Sequence, residues 1–426
     1  MHPAFVTMLG SVARPGLVLV GGGAVRAPLG FSRAQVSTTV HALASDGIAW
    51  QAFGADTPRL PGTASRLLVE GQRTNAVRNP RAEGAAEGVP GTQPANWSAP
   101  TSFGGLSREM LAPVTQNGVT YCRLRYSGTS TGGALLLATE GATQQAATPG
   151  ETWTASAFLA LVVNGGAVPV VRLANREVAA DGTTLIASDA SAPVLAVGAT
   201  PARCVRTTTM ATSTAFIGQS IRVNHTAGLA YDFTLWVGMP QVELGAFAST
   251  PILPAIGAPA TAARGADLVS ATLAGLGVPS NGACTLLWSG LLAQTAPATG
   301  SHHAILQLDD GTEANRVFLR NEGGGTSLVV GCAAGGGTAA TVVAGSIAAA
   351  TPFRAGLAIA GTGRIAASVN GAAAVPVSGG PVAGLTRLRL GSDALGRAMF
   401  GETATLRVMH GALSDAGLAA AVAAFA

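Results

Sequence analysis

"YDFTLWVG", residues 231–238, alternates strictly. Tyr231, Phe233, Leu235 and Val237 fall on one side of an extended chain, Asp232, Thr234 and Trp236 on the other. Successive side chains of a strand point to opposite faces, so this pattern predicts a strand with one face in a core and one face with a different role. Working outward, "YCRLRYSG" (121–128) sets Tyr121, Arg123 and Arg125 against Cys122, Leu124 and Tyr126. "TWTASAFLALV" (152–162) sets Trp153, Ala155 and Ala157 against Thr154, Ser156 and Phe158. Repeated period-2 segments with turn signals between them predict an all-β chain built as antiparallel sandwiches.

The composition agrees. The 426 residues are long enough for two or three domains. Val, Thr, Ala, Gly and Ser dominate rather than the Leu, Glu and Lys of helical bundles. Glycine and proline are abundant without a period, which excludes collagen. Every basic residue is Arg, and the absence of Lys removes P-loop nucleotide binding and Schiff-base catalysis. A net charge of +4 without a basic, aromatic-interleaved stripe gives no case for nucleic acid. The run "RPGLVLVGGGAVRAP" (14–28) is too short and Gly-broken for a signal or membrane helix, so no membrane insertion and no standard export signal are expected. Cys122, Cys204, Cys284 and Cys332 form no CxxC pair and no Cys/His zinc spacing, which makes buried free thiols the expectation.

Four regions follow. Residues 1–76 hold short apolar runs that bury little alone, an N-terminal region expected to pack on a neighbour or a partner. Residues 77–250 carry the alternating strands. Residues 251–265, rich in Pro and Ala, read as a linker. Residues 266–426 are strand-rich again, with the core-strand candidate "CTLLWSGLL" (284–292) and a hairpin over 303–320 turning at Asp310-Gly311. Strands joined at Gly361-Thr362-Gly363 and at Asn370-Gly371 come next. "LSDAGLAAAVAAF" (413–425) closes the chain as a helix that Ser414 can cap.

Catalytic signals are thin. "GTSTG" (128–132) matches G-x-S-x-G, yet the segment after Ser130 reads as another strand where a nucleophile elbow needs a helix. Asp309-Asp310 borders a turn and His302-His303 are strand neighbours, so neither pair faces one substrate. His2, His41, His225 and His410 are scattered. Sugar binding needs less: a ring to stack on a pyranose, with Arg, Asn or Asp for its hydroxyls. Trp97 and Asn96 in "PANWS", Tyr121, Arg123 and Arg125 on one strand face, and Trp153 and Trp236 on strands are the candidates. Arg also suits an acidic polysaccharide.

One segment concentrates charge: "SRLLVEGQRTNAVRNPRAEG" (65–84) holds Arg66, Glu70, Arg73, Arg78, Arg81 and Glu83. Its "LLVEGQRTN" (67–75), with "FSRAQVSTTV" (31–40) and "PRL" (58–60), resembles phage and prophage fibre proteins, including the head-spike fibres of gene transfer agents. "RNPRAEGAAEGVPGTQPANWS" (78–98) and "PQVELGAFASTPILP" (240–254) look like the start and end of a jelly-roll module of such proteins, similar to carbohydrate-binding modules. Residues 266–426 look like a concanavalin or laminin-G-like sandwich ending at "LSDAGL" (413–418). The charged segment then reads as a seam that pairs buried polar groups.

The resemblance implies tandem sandwiches, jelly roll then concanavalin-like, behind an N-terminal region that attaches to other proteins of a phage-like particle. It implies a homo-oligomeric, non-enzymatic surface fibre that binds cell-surface or capsular polysaccharide. A capsule depolymerase and a purely structural decoration protein are the alternatives. No cofactor is required, but by comparison with such modules Glu83 and Asp232 stand where a structural calcium ion is held.

Overall fold

The computed structural model describes residues 17–35, 39–188, 195–297, 301–379 and 382–425. Residues 1–16 and 36–38 of the expected attachment region, His2 among them, lie outside the described residues. The chain is all-β; among the described residues its sheets are built from antiparallel strand pairs, with one short helix at the C-terminal end.

By contact, the chain forms two compact units. The first takes Met1–Ser32, Ala64–Val69 and Asp267–Ala426, the second Arg33–Thr63 and Glu70–Ala266. This differs from the division at 76, 250 and 265. The described strands of the first 76 residues are shared between the units, because single short strands find edges to pair with in each. The expected linker is partly core: Ile252–Leu253 pairs with Thr39–Leu43, and both its side chains are buried.

In the second unit a six-stranded sheet runs in the order Gly198–Thr209, Thr152–Gly166, Ala230–Leu244, Val119–Thr129, Leu106–Gln116, Ser102–Phe103. The other layer orders Gly133–Ala138, Phe216–His225, Val170–Val178 and Leu185–Ser188, with Gln145–Ala146 added to Phe216–His225. The alternating residues do what their period demands. Tyr231, Phe233, Leu235 and Val237 join Cys122, Leu124 and Tyr126 in one buried cluster with Leu135, Val171 and Ile221 of the other sheet. Trp153 and Ala155 pack with Ile217 at one end of the same interior.

The outer face of the six-stranded sheet is partly roofed. A small sheet of Thr39–Leu43, Trp50–Phe53 and Ile252–Leu253 brings Leu253 and Trp50 onto Val119, Tyr121 and Phe158. The Trp50 ring meets Phe158 edge-on at 5.0 Å. Gly118, in a left-handed conformation (φ 75°), permits the approach: a Cβ there would lie 1.9 Å from the Trp50 carbonyl oxygen.

In the first unit Cys284–Leu292 is central, between Gly401–His410 and Phe353–Ile359. It is apolar on both faces because both are covered. Leu286 and Trp288 are buried on one side, and Leu287 on the other lies under the helix Asp415–Ala424, packed by Leu418, Val422 and Phe425. Ser414 caps that helix, its hydroxyl accepting from Gly417 N. The hairpin forms as His302–Asp309 and Arg316–Glu322, and Asn370-Gly371, both at positive φ, turn Ile365–Val369 into Val375–Val377. All four cysteines are free; burial pushes the Cys122 and Cys284 thiols up to about 12.

Candidate functional site

The charged segment resolves first, because from Glu70 onward it supplies buried polar groups to the second unit. Glu70 is buried, and its Oε2 accepts from Arg59 Nη1 (2.5 Å), Arg264 Nη1 (2.8 Å) and Thr250 Oγ1 (2.6 Å), while Oε1 accepts from Thr250 N (3.0 Å). Burial alone would raise the Glu70 pKa; Arg264, Arg59 and the Thr250 hydrogen bonds outweigh it and hold the carboxyl well below the usual range. Asn75 is saturated: Nδ2 donates to the Pro240 and Ile252 carbonyls, and Oδ1 accepts from Val77 N and Val242 N. Arg73 lies over Phe247 and within 3.8 Å of Glu243, and a Cβ on Gly245 would fall 2.0 Å from its Nη1. Thus "LLVEGQRTN" and "PQVELGAFASTPILP" are two sides of one buried polar node. Further along, Arg78 grips Glu140 through Nε (3.1 Å) and Nη2 (2.7 Å), and Arg81 donates to the Pro254 carbonyl. The segment pairs buried polar groups, as expected, but these partners all lie within the second unit.

The sugar candidates divide. Trp97 is buried, 3% exposed, its indole N–H donating to the Asn79 carbonyl and its ring in the inter-sheet core. Asn96, at φ 68°, turns the chain so that the loop ring points inward. Trp153 is buried too, donating to Glu151 Oε2 (2.9 Å). These two indoles therefore present no ring to a ligand, a correction to the sequence expectation. Tyr121 is buried under the small sheet, where desolvation pushes its hydroxyl up to about 12.

Arg123, Arg125 and Trp236 remain, and the structure gathers them. Arg123 pairs in register with Trp236, and Arg125 with Thr234, on neighbouring strands of the six-stranded sheet. The Arg123 guanidinium carbon lies 5.8 Å from the half-buried Trp236 ring centre. Arg125 donates to Asp232 Oδ1 (2.8 Å) and Oδ2 (2.7 Å) and to Glu109 Oε2 (3.0 Å), and Asn164 Nδ2 donates to Asp232 Oδ1 (3.0 Å). The hydrogen bond from Arg125 lowers the Asp232 pKa. Sequence reasoning missed Glu109 and Asn164, whose only local signal was strand parity. The result is a partly exposed face with one half-buried indole, two guanidinium groups, two carboxylates and an amide.

Glu83 and Asp232 are not brought together. Asp232 pairs with Ser127 near one end of Val119–Thr129, where Arg125 clamps it. Glu83 borders a cavity of about 180 Å3 by Thr120 and Cys122 towards the other end, and accepts from Gly257 N (2.9 Å). Among the described residues no three His, Cys, Asp or Glu side chains gather to hold a metal ion. The pair does not fit a shared calcium.

Ser130 has a partner that its motif did not disclose. Its Oγ lies 2.6 Å from Nδ1 of His225, 95 residues away, and accepts from Gly132 N (2.8 Å). Both side chains are buried, and among the described residues His225 Nε2 has no hydrogen-bond partner. A nucleophile needs access and a third group to orient its base; this pair has neither. The strand Gly133–Ala138 follows Ser130, not a helix. Asp309 is bound to Arg389 (2.6 Å), Asp310 serves its turn by accepting from Thr312 N (2.8 Å), and His302 meets Asp393 (2.8 Å).

No protein-family model matches the sequence, and no curated protein matches it. Among solved structures the chain is similar to the CBM40 of the Ruminococcus gnavus IT-sialidase bound to α2,3-sialyllactose, at 15% identity and TM-score 0.27 over 33% of this chain and 82% of that one. It is similar to the N-terminal CBM22-1–CBM22-2 tandem domain of Paenibacillus barcinonensis Xyn10C, at 10% identity and TM-score 0.25 over 77% and 96%. It is also similar to the tripod from the baseplate of bacteriophage Tuc2009, at 14% identity and TM-score 0.29 over 78% and 98%. Likenesses this weak carry no argument about what this chain binds. Among the described residues no helix is long and apolar enough to cross a membrane.

Proposed function

We propose that this chain is a non-catalytic surface fibre of a phage-like particle that binds polysaccharide on a host cell. The observation that carries the binding part is the Trp236, Arg123 and Arg125 face, where a half-buried indole and two held guanidinium groups lie beside Asp232 and Asn164, whose polar groups suit sugar hydroxyls. Particle association rests on the resemblance of "LLVEGQRTN" to fibre proteins, and host attachment through many copies would turn weak single sites into avidity. A homo-oligomer belongs to the same reading. Purified chain is expected to compete with particles for adsorption to host cells, and Trp236→Ala is expected to weaken that competition while the chain stays folded, as circular dichroism would check. Competition unchanged by Trp236→Ala would remove the face from the account; no competition by either protein would count against attachment itself.

A second reading, a structural decoration protein, draws on Trp97, Trp153 and Trp288, all buried. It predicts normal adsorption by particles carrying the Trp236→Ala chain.

A further inference from the structure

The first unit contains a groove that the proposed function does not use. Its volume is about 420 Å3, within the range of small-molecule sites, about 300–1,000 Å3. Arg66 and Arg354 line it, with Asn370, Ser289 and the apolar pair Pro352 and Phe353.

The local backbone explains why a groove forms here. Cys284–Leu292 and Gly401–His410 slip register after Ser289: Ser289 pairs with Thr405 but Gly290 with Thr403, so Ala404 is the extra residue of a β-bulge. Gly290 is required by that closeness, since a Cβ would lie 2.0 Å from the Glu402 carbonyl oxygen. Ala404, on the bulge, is itself part of the groove wall.

The polar groups are available. Arg354 is exposed and donates Nη1 to the Ala423 carbonyl at the end of the helix, which fixes the guanidinium while leaving its other donors. Arg66 is about one-third exposed, and its ion pair to Glu402 is loose at 3.5 Å. Ser289 is more than nine-tenths buried, and among the described residues its hydroxyl has no hydrogen-bond partner. A buried hydroxyl without a partner costs about 1–3 kcal/mol, a cost that a ligand hydroxyl could offset.

We infer that this groove is a second saccharide site that takes a carboxylate-bearing sugar, its carboxylate on Arg66 and Arg354 and its ring hydroxyls toward Ser289 and Asn370. Guanidinium forks match a planar carboxylate in a way a point charge does not. The choice of a sugar over another carboxylate rests on the polysaccharide reading above.

The test is calorimetric titration of the full chain with a galacturonic acid trimer, with sodium sulfate as the plain-anion control. Arg66→Gln combined with Arg354→Gln is expected to weaken trimer binding at least about tenfold. Ala404→Glu disturbs no hydrogen bond of the groove and sets a negative charge in its wall; it is expected to weaken the trimer likewise, which guards against a double variant that folds poorly. Trimer binding that both variants leave intact, or no trimer binding by the parent chain, overturns the inference. Sulfate that binds as tightly and competes for the site also overturns it, by reducing the groove to an anion pocket. Whole-polymer binding lost with Trp236→Ala alone would sink the groove and keep the proposed function; loss of all polymer binding would sink that function first.

Discussion

Glu70 has two buried guanidinium groups and one threonine on a single carboxylate. Removing its charge takes the shared carboxylate from Arg59 and Arg264, both fully buried, and breaking a buried pair typically costs about 3–5 kcal/mol. Glu70→Gln is therefore expected to lower the denaturant midpoint sharply, and Glu83→Gln, whose remaining oxygen can still accept from Gly257 N, to change it little. Because the folded Glu70 carboxyl titrates below its unfolded value, its stabilisation is complete above about pH 4.3 and is withdrawn as the pH falls below that. The stability gap between parent and Glu70→Gln should then narrow from about pH 5 to pH 2; a gap that is constant with pH would contradict the ion pair. The sequence disclosed this node by its crowding of charge in a charge-poor chain, but not its partners, which come from residues 59, 250 and 264.

At the scale of elements, strand parity was legible and loop direction was not. Faces of Val119–Thr129 and Ala230–Leu244 follow directly from alternation, since the inter-sheet core accepts only one side. Trp97 defeated the same reasoning, because a ring outside a strand has no parity and its burial depends on Asn79 and the distant Leu106 and Met110. The Ser130–His225 pair was equally invisible across 95 residues. Residues 251–265 misled through composition: proline and alanine suggested a linker, yet Ile252 and Leu253 complete a small sheet with Thr39–Leu43. Leu253 is 1% exposed, so Leu253→Ala is expected to cost about 2–5 kcal/mol. Chemical unfolding checks this, and a change within about 0.5 kcal/mol, as for a surface site, would restore the linker.

The whole molecule is two units whose sequence segments alternate, not beads in order. A fragment of residues 266–426 would lose Leu17–Gly21 and Leu67–Val69, both of which pair with Gly401–His410. That fragment is expected to expose an unpaired strand edge and to aggregate or exchange its amides fast, whereas the full chain protects Gly401–His410; hydrogen exchange distinguishes the two. The tandem architecture was legible in the sequence, but the sharing of early strands was not, because a strand of three to five residues shows its parity and not its partner. The central claim concerns binding without cleavage, and calorimetry of the full chain against purified capsular polysaccharide of the host tests it most directly. Saturable heat, a weaker response for Trp236→Ala, and polymer of unchanged length afterwards are the predicted result. No heat, or shortened polymer, would contradict it.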